Sequence, residues 1–112
     1  MSMTLSDLQA RGLEIAAKYD ELNLAQRGRT WTRAETLMGF VGDVGDLAQL
    51  AMAADNVRSD FGTPEETRDA LAHELADCLW AVLVLAERYE VDLEAAYVDT
   101  MTTLEQRLND PR

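Results

Sequence analysis

The stretch TPEETRDALAHELADCLWAVLVLAERYEVD, residues 63–92, decides the fold. It opens on a helix start: Thr63 as N-cap, Pro64 at the first helical position, where its missing N–H costs nothing, and Glu66 closing a capping box. Nothing interrupts the pattern before Tyr89, and Asp92 then caps a further helix over about 93–108. From Cys78 to Ala86 every residue is apolar, so little of this helix can face water. One chain of this length would struggle to cover such a run, which implies an oligomer.

Working towards the N-terminus, the loop DNVRSDFG precedes this helix, and a segment from about Thr32 to Ala54 precedes the loop. There Leu37, Phe40, Val41, Val44, Leu47, Ala48 and Ala51 recur at helical spacing. Beyond the break GRTWT, residues 4–25 place Leu5, Leu8, Leu13, Ile15, Ala16, Tyr19 and Leu22 mostly three or four apart. Leu93, Ala96, Tyr97, Thr100, Met101 and Leu104 share a face of the last segment. With no strand pattern and no repeat, the expected architecture is all-α: a four-helix bundle with antiparallel central helices, one domain over 1–112, assembled into a dimer or tetramer.

Composition narrows the function. Apolar residues make up 47% of 112, enough for a core without disulfides or a structural zinc. Cys78 has no partner in the chain, and no basic-then-apolar leader or 18-residue apolar window is evident, so a cytoplasmic protein that spans no membrane is expected. The formal charge of −11 repels nucleic acid and anionic membranes. It repels a polyphosphate too, unless divalent cations belong to the site or the substrate.

Each central segment carries an acidic pair at i, i+3, Asp43 with Asp46 and Glu74 with Asp77, which puts both members on one helix face. About a loop centre near Ser59, the first pair lies 16 and 13 residues before and the second 15 and 18 after. In an antiparallel hairpin the mean offset of two residues leaves the pairs level to within about 3 Å. Four carboxylates among Val41, Val44, Leu47, Leu75 and Leu79 repel one another unless cations or protons neutralise them. Oxygen-only ligands suit Mg²⁺ or Mn²⁺, which recruit substrate phosphates. Each pair taken alone also reads as a solvated helix face.

With these residues in hand, GDVGDLAQL followed by HELADCLWAVLVLAERYEVDLEAA resembles the MazG-like all-α nucleoside triphosphate pyrophosphohydrolases, over about residues 31–107. Their signature is EExxE followed by ExxD; Glu74-x-x-Asp77 matches the second half. The resemblance implies a helical dimer or tetramer that uses Mg²⁺ to cleave between the α and β phosphates, water being the nucleophile. It implies Asp43, Asp46, Glu74 and Asp77 as metal ligands, with Glu74 and Asp77 the dependable, catalytic pair. The chain departs from the pattern at Gly42, Asp43 and Asp46, where the family shows EExxE, and at Thr100 and Leu104, where relatives often carry lysine and asparagine. Those departures favour the alternative reading, a non-catalytic helical oligomer for partner binding or nucleotide sensing.

Trp31, between Arg27, Arg29 and Arg33, suits base stacking beside phosphate-pairing guanidiniums, or equally a hydrophobic staple. Arg107 matches a basic position near the family's chain end and suits a phosphate contact or a surface ion pair. HELAD is not a zinc-protease HExxH, because Asp77 stands where the second histidine belongs, and the single histidine, His73, cannot build a ferritin-like di-iron site. No P-loop or dinucleotide fingerprint occurs. Trp80 reads as core or subunit interface.

Overall fold

The computed structural model describes residues 2–55 and 62–110, and among them there are four helices and no strand: α1 (Leu5–Arg27), α2 (Arg33–Ala54), α3 (Pro64–Arg88) and α4 (Leu93–Asn109). The loop that separates the two acidic pairs lies mostly outside the described residues. Local chemistry explains each boundary. Thr4 and Thr32 form full capping boxes with Asp7 and Glu35, and Arg29 clamps the Glu35 carboxylate at 2.7 and 3.0 Å. Thr63 Oγ1 accepts the Glu66 N–H at 3.1 Å, but the reciprocal bond is absent among the described residues; the Glu66 carboxylate lies against Gly62 instead. So α3 starts on a single cap bond plus Pro64 rather than the expected box.

Two ends have left-handed residues. Gly28, at φ 75°, returns its N–H to the Leu24 carbonyl and closes α1 two residues later than the sequence pattern predicts. After α3, Val91 N–H bonds the Ala86 carbonyl at 2.7 Å and Glu90 N–H the Glu87 carbonyl at 3.0 Å, a Schellman motif with Glu90 at φ 58° where glycine is favoured.

Packing centres on α3. It lies along α2 over the greatest length and against α1 more narrowly, while α4 makes only sparse contact and buries no residue. Among the described residues the core is small: Ala16, Leu50, Ala81, Leu83, Val84 and Ala86, with Thr67 the one buried polar residue. Trp80 locks α1 to α3, its Nε1 donating to the Gly12 carbonyl at 2.9 Å. Gly12 lets the ring come this close, since a Cβ would sit 3.0 Å from the indole, tighter than ordinary contact.

The bundle expected from four amphipathic segments is incomplete in a single chain. Its radius of gyration is 17.4 Å, against about 13 Å for a compact domain of this length. Its accessible surface is 8632 Å², against about 6,200 Å² for a compact monomer of this mass. Tyr97, Val98, Met101 and Leu104 on α4, Leu37, Met38, Val41 and Val44 on α2, and Leu75 and Leu79 on α3 are all exposed.

A further expectation, that no 18-residue apolar window occurs, is overturned. An 18-residue window of α2 is long and apolar enough to cross a membrane. Alanines, leucines, valines, methionines and Phe40 raise its average although Asp43 and Asp46 stand in its middle. Each such carboxylate costs about 3 kcal/mol at a bilayer centre, and α2 packs its acidic face against α3.

Candidate metal centre

The four predicted carboxylates fall into two overlapping groups. Ligand oxygens of Asp43, Asp46 and Glu74 lie within 4.8 Å of one another, and so do ligand atoms of His73, Glu74 and Asp77. Glu74 belongs to both. Contacts along α2 and α3 place it: near one end, an Arg33 Nη donates to the Arg88 carbonyl at 3.4 Å, and further along, Asp43 and Asp46 face Glu74. The i, i+3 spacing then aims both members of each pair at the opposing helix.

Electrostatics follow from the crowding. Burial first, then Asp77 and Asp46, hold the Asp43 carboxyl above the usual carboxylate range. Burial first, then Asp77, Asp43 and Asp46, do the same to Glu74, while His73 opposes the shift. The Cys78 thiol, one residue on from Asp77, is pushed up by burial and by three of these acids. His73 Nε2 meets Asp77 Oδ2 at 3.2 Å.

Among the described residues, Glu74 Oε2 is the one buried side-chain oxygen or nitrogen without a hydrogen-bond partner. An orphaned acceptor facing two further carboxylates lacks only a cation or a proton. The donor set is oxygen-dominated, with one imidazole at its edge, and it fits a hard divalent ion.

A cavity of about 490 Å³ opens beside this cluster between α1, α2 and α3. Asp43 and Trp80 lie at one end. Thr36 lies seven residues back along α2, about 10 Å away at helical rise, and Arg88 lies eight residues on along α3; both line the other end, with Trp31. Four aromatic rings line it: Tyr19, Trp31, Phe40 and Trp80, with Tyr19 and Trp80 tilted against each other at 5.7 Å between centroids. Trp31 is 41% exposed and lies over Gly39, whose hydrogen admits the ring where a Cβ would stand 2.9 Å from it.

The other predicted contacts are placed differently. Arg33 sits with its guanidinium 4.5 Å from the centre of the Tyr89 ring and does not line the cavity. Arg107 is exposed in the last turn of α4 and joins neither carboxylate group. Arg27 does line the cavity, as does Arg88, which pairs with Asp20 at 3.2 Å. Asp20, Asn23, Gln26, Arg88 and Gly39 drew no attention as sequence. The signal was present: Ala16, Tyr19, Asp20, Asn23 and Gln26 recur at helical spacing, so polar residues share a face with apolar ones.

Residues 41–110 match the model of the MazG nucleotide pyrophosphohydrolase domain. The chain is 34% identical over 105 residues to dCTP pyrophosphatase 1 of Mus musculus, an alignment spanning 93% of this chain and 58% of that protein. With dCTP pyrophosphatase 1 of Homo sapiens it is 33% identical over 99 residues, 88% of this chain and 55% of the relative. The chain thus spans a little over half the length of these curated relatives. The matched segment contains both acidic pairs and the whole of α3 and α4, and the chain belongs to the MazG nucleotide pyrophosphohydrolase domain family.

Proposed function

We propose that this protein is a Mg²⁺-dependent nucleoside triphosphate pyrophosphohydrolase that releases a nucleoside monophosphate and pyrophosphate, with Mn²⁺ as an alternative ion. The observation that carries the reading is the buried, unpartnered Oε2 of Glu74 at the junction of two ligand groups. Family membership and relatives named dCTP pyrophosphatase support the reaction class.

In this reading Asp43, Asp46, Glu74 and Asp77 hold the ion between α2 and α3, packed as an antiparallel pair. When bound, the ion offsets the charge of the polyphosphate and makes neighbouring water more acidic. His73 fixes the Asp77 carboxylate through the 3.2 Å contact. The aromatic cavity takes the nucleoside: Trp31 offers a ring for the base, and Asp43 at the opposite end sets the phosphates against the carboxylates. Arg27 lines the cavity and supplies positive charge within it. Arg33 and Arg107 remain candidate phosphate contacts, to be tested by Arg33→Ala and Arg107→Ala.

A homodimer or homotetramer belongs to the proposal. The single chain exposes about 2,400 Å² more than a compact monomer, comparable to what each partner loses in an obligate interface. The apolar residues flanking the carboxylates, Val41, Val44, Leu75 and Leu79, are among those exposed. Covering them would dry the site and strengthen its electrostatics.

The test is pyrophosphate release from a panel of deoxy- and ribonucleoside triphosphates with Mg²⁺, Mn²⁺ or chelator. Metal-dependent release that Glu74→Gln abolishes, with helicity and oligomeric state retained, supports the reading. Unchanged turnover in that variant refutes the site, and no release from any triphosphate refutes the activity.

A further inference from the structure

The wall of the cavity formed by α1 carries two side-chain amides, Asn23 and Gln26, one helical turn apart. Asn23 is half-buried and Gln26 exposed. Neither makes a hydrogen bond to another protein group among the described residues. Both line the same space as Trp31. Asp20, on the same face, accepts a hydrogen bond from Arg88 on Oδ2 at 3.2 Å, so one of its oxygens is already engaged.

We infer that Asn23 and Gln26 read the edge of the nucleobase and, because no described residue fixes which way their amides point, accept amino-bearing and keto-bearing bases alike. This rests on the triphosphate reading above. A carboxamide presents a donor and an acceptor side by side, which complements the amino and ring-nitrogen edge of cytosine or adenine. Rotated by half a turn, it complements the keto and N–H edge of uracil, thymine or guanine equally well. Strict selection needs an amide locked by a neighbour, so that the wrong base leaves a buried polar group unpaired. Among the described residues neither amide has such a neighbour.

Replacing Asn23 by an isosteric acceptor-only group removes that tolerance, because a carboxylate can take a hydrogen bond from an exocyclic amine but offers none to a keto oxygen. The experiment measures kcat/KM for the cytosine, uracil, adenine and guanine deoxynucleoside triphosphates with Mg²⁺. It is paired with intrinsic tryptophan fluorescence titrations of the four monophosphates, since Trp31 and Trp80 both line the cavity. For the wild type, cytosine and uracil substrates should agree within roughly tenfold, and Asn23→Asp should shift the ratio towards cytosine by roughly tenfold or more in both readouts. The double variant Asn23→Ala/Gln26→Ala should weaken monophosphate binding for all four bases without creating a preference.

A wild type that separates cytosine from uracil by more than about a hundredfold, or an Asn23→Asp protein with native melting and an unchanged ratio, overturns the inference while leaving the pyrophosphohydrolase reading intact. No turnover of any triphosphate by the wild type overturns both.

Discussion

Replacing Asp43 by asparagine keeps the shape of the side chain and removes one charge from the cluster, so it separates the cost of the cluster from its use. Asp43 lies within 4.8 Å of Asp46 at the ligand oxygens. At that separation two unit charges repel by about 0.9 kcal/mol in a water-like dielectric and by up to ~3.5 kcal/mol at an effective dielectric of 20. Asp46 is exposed, so the lower figure applies. Without metal, Asp43→Asn should therefore be more stable than the wild type by about 1 kcal/mol, or about 4 °C in Tm for a domain of this size. With metal the order should reverse. An ion at a hundred times its Kd adds ~2.7 kcal/mol to the protein that binds it, and the variant, one ligand short, should lose most of that increment. The assay is thermal unfolding at low salt and fixed protein concentration, in chelator and in a Mg²⁺ or Mn²⁺ series. A variant that melts below the wild type in chelator, or that keeps the full metal increment, would refute the reasoning.

The raised carboxyls of Asp43 and Glu74 mean that the fold binds their protons more tightly than the unfolded chain does, so metal-free stability should rise as pH falls from neutral through their raised pKa values towards the ordinary carboxylate range. Asp43→Asn should flatten that slope in pH-dependent melting. Glu35 has the opposite sign: its carboxyl, lowered to about 2 chiefly by Arg29, contributes stability above its ordinary value of 4.5 that is lost as pH falls from there towards 2. Arg29→Ala should shrink this acid-side loss. Glu90→Gly should stabilise the protein by about 1 kcal/mol, read by chemical denaturation, because it relieves a left-handed conformation in a motif that otherwise stays intact. A Cβ at Gly42 meets nothing within 4 Å, so Gly42→Glu should fold normally and bind Mn²⁺ more tightly by calorimetry, supplying the leading acid of the family motif.

Helix boundaries were legible because their signals are local. Thr63 and Pro64 start α3, Asp92 caps α4 through the Ala95 N–H, and each predicted helix lies within two residues of the observed one. The Thr4–Asp7 and Thr32–Glu35 capping boxes were equally readable as T-x-x-D and T-x-x-E. The meeting of Asp43 and Asp46 with Glu74 was also readable, because loop length and helical rise are arithmetic once the chain folds back. What sequence could not supply was the tertiary context of α1 and α4. Periodicity marks a face of α4 as apolar without saying that the other described helices leave most of it, Tyr97, Met101 and Leu104, exposed. Nor does it reveal that Gly12 and Gly39 admit two indoles, one locking α1 to α3 and the other roofing the cavity. The place of Asn23 in the cavity wall depends on that crossing, so no motif around it announces a site.

The central claim is that two carboxylate pairs and the cavity beside them cleave a triphosphate between its α and β phosphates. Following an intact nucleoside triphosphate with Mg²⁺ by phosphorus NMR tests this most directly. The account predicts that monophosphate and pyrophosphate signals grow together in equal amounts, and that chelator or Glu74→Gln suppresses both. Accumulation of nucleoside diphosphate with inorganic phosphate, or an unchanged triphosphate spectrum across all bases, would contradict it.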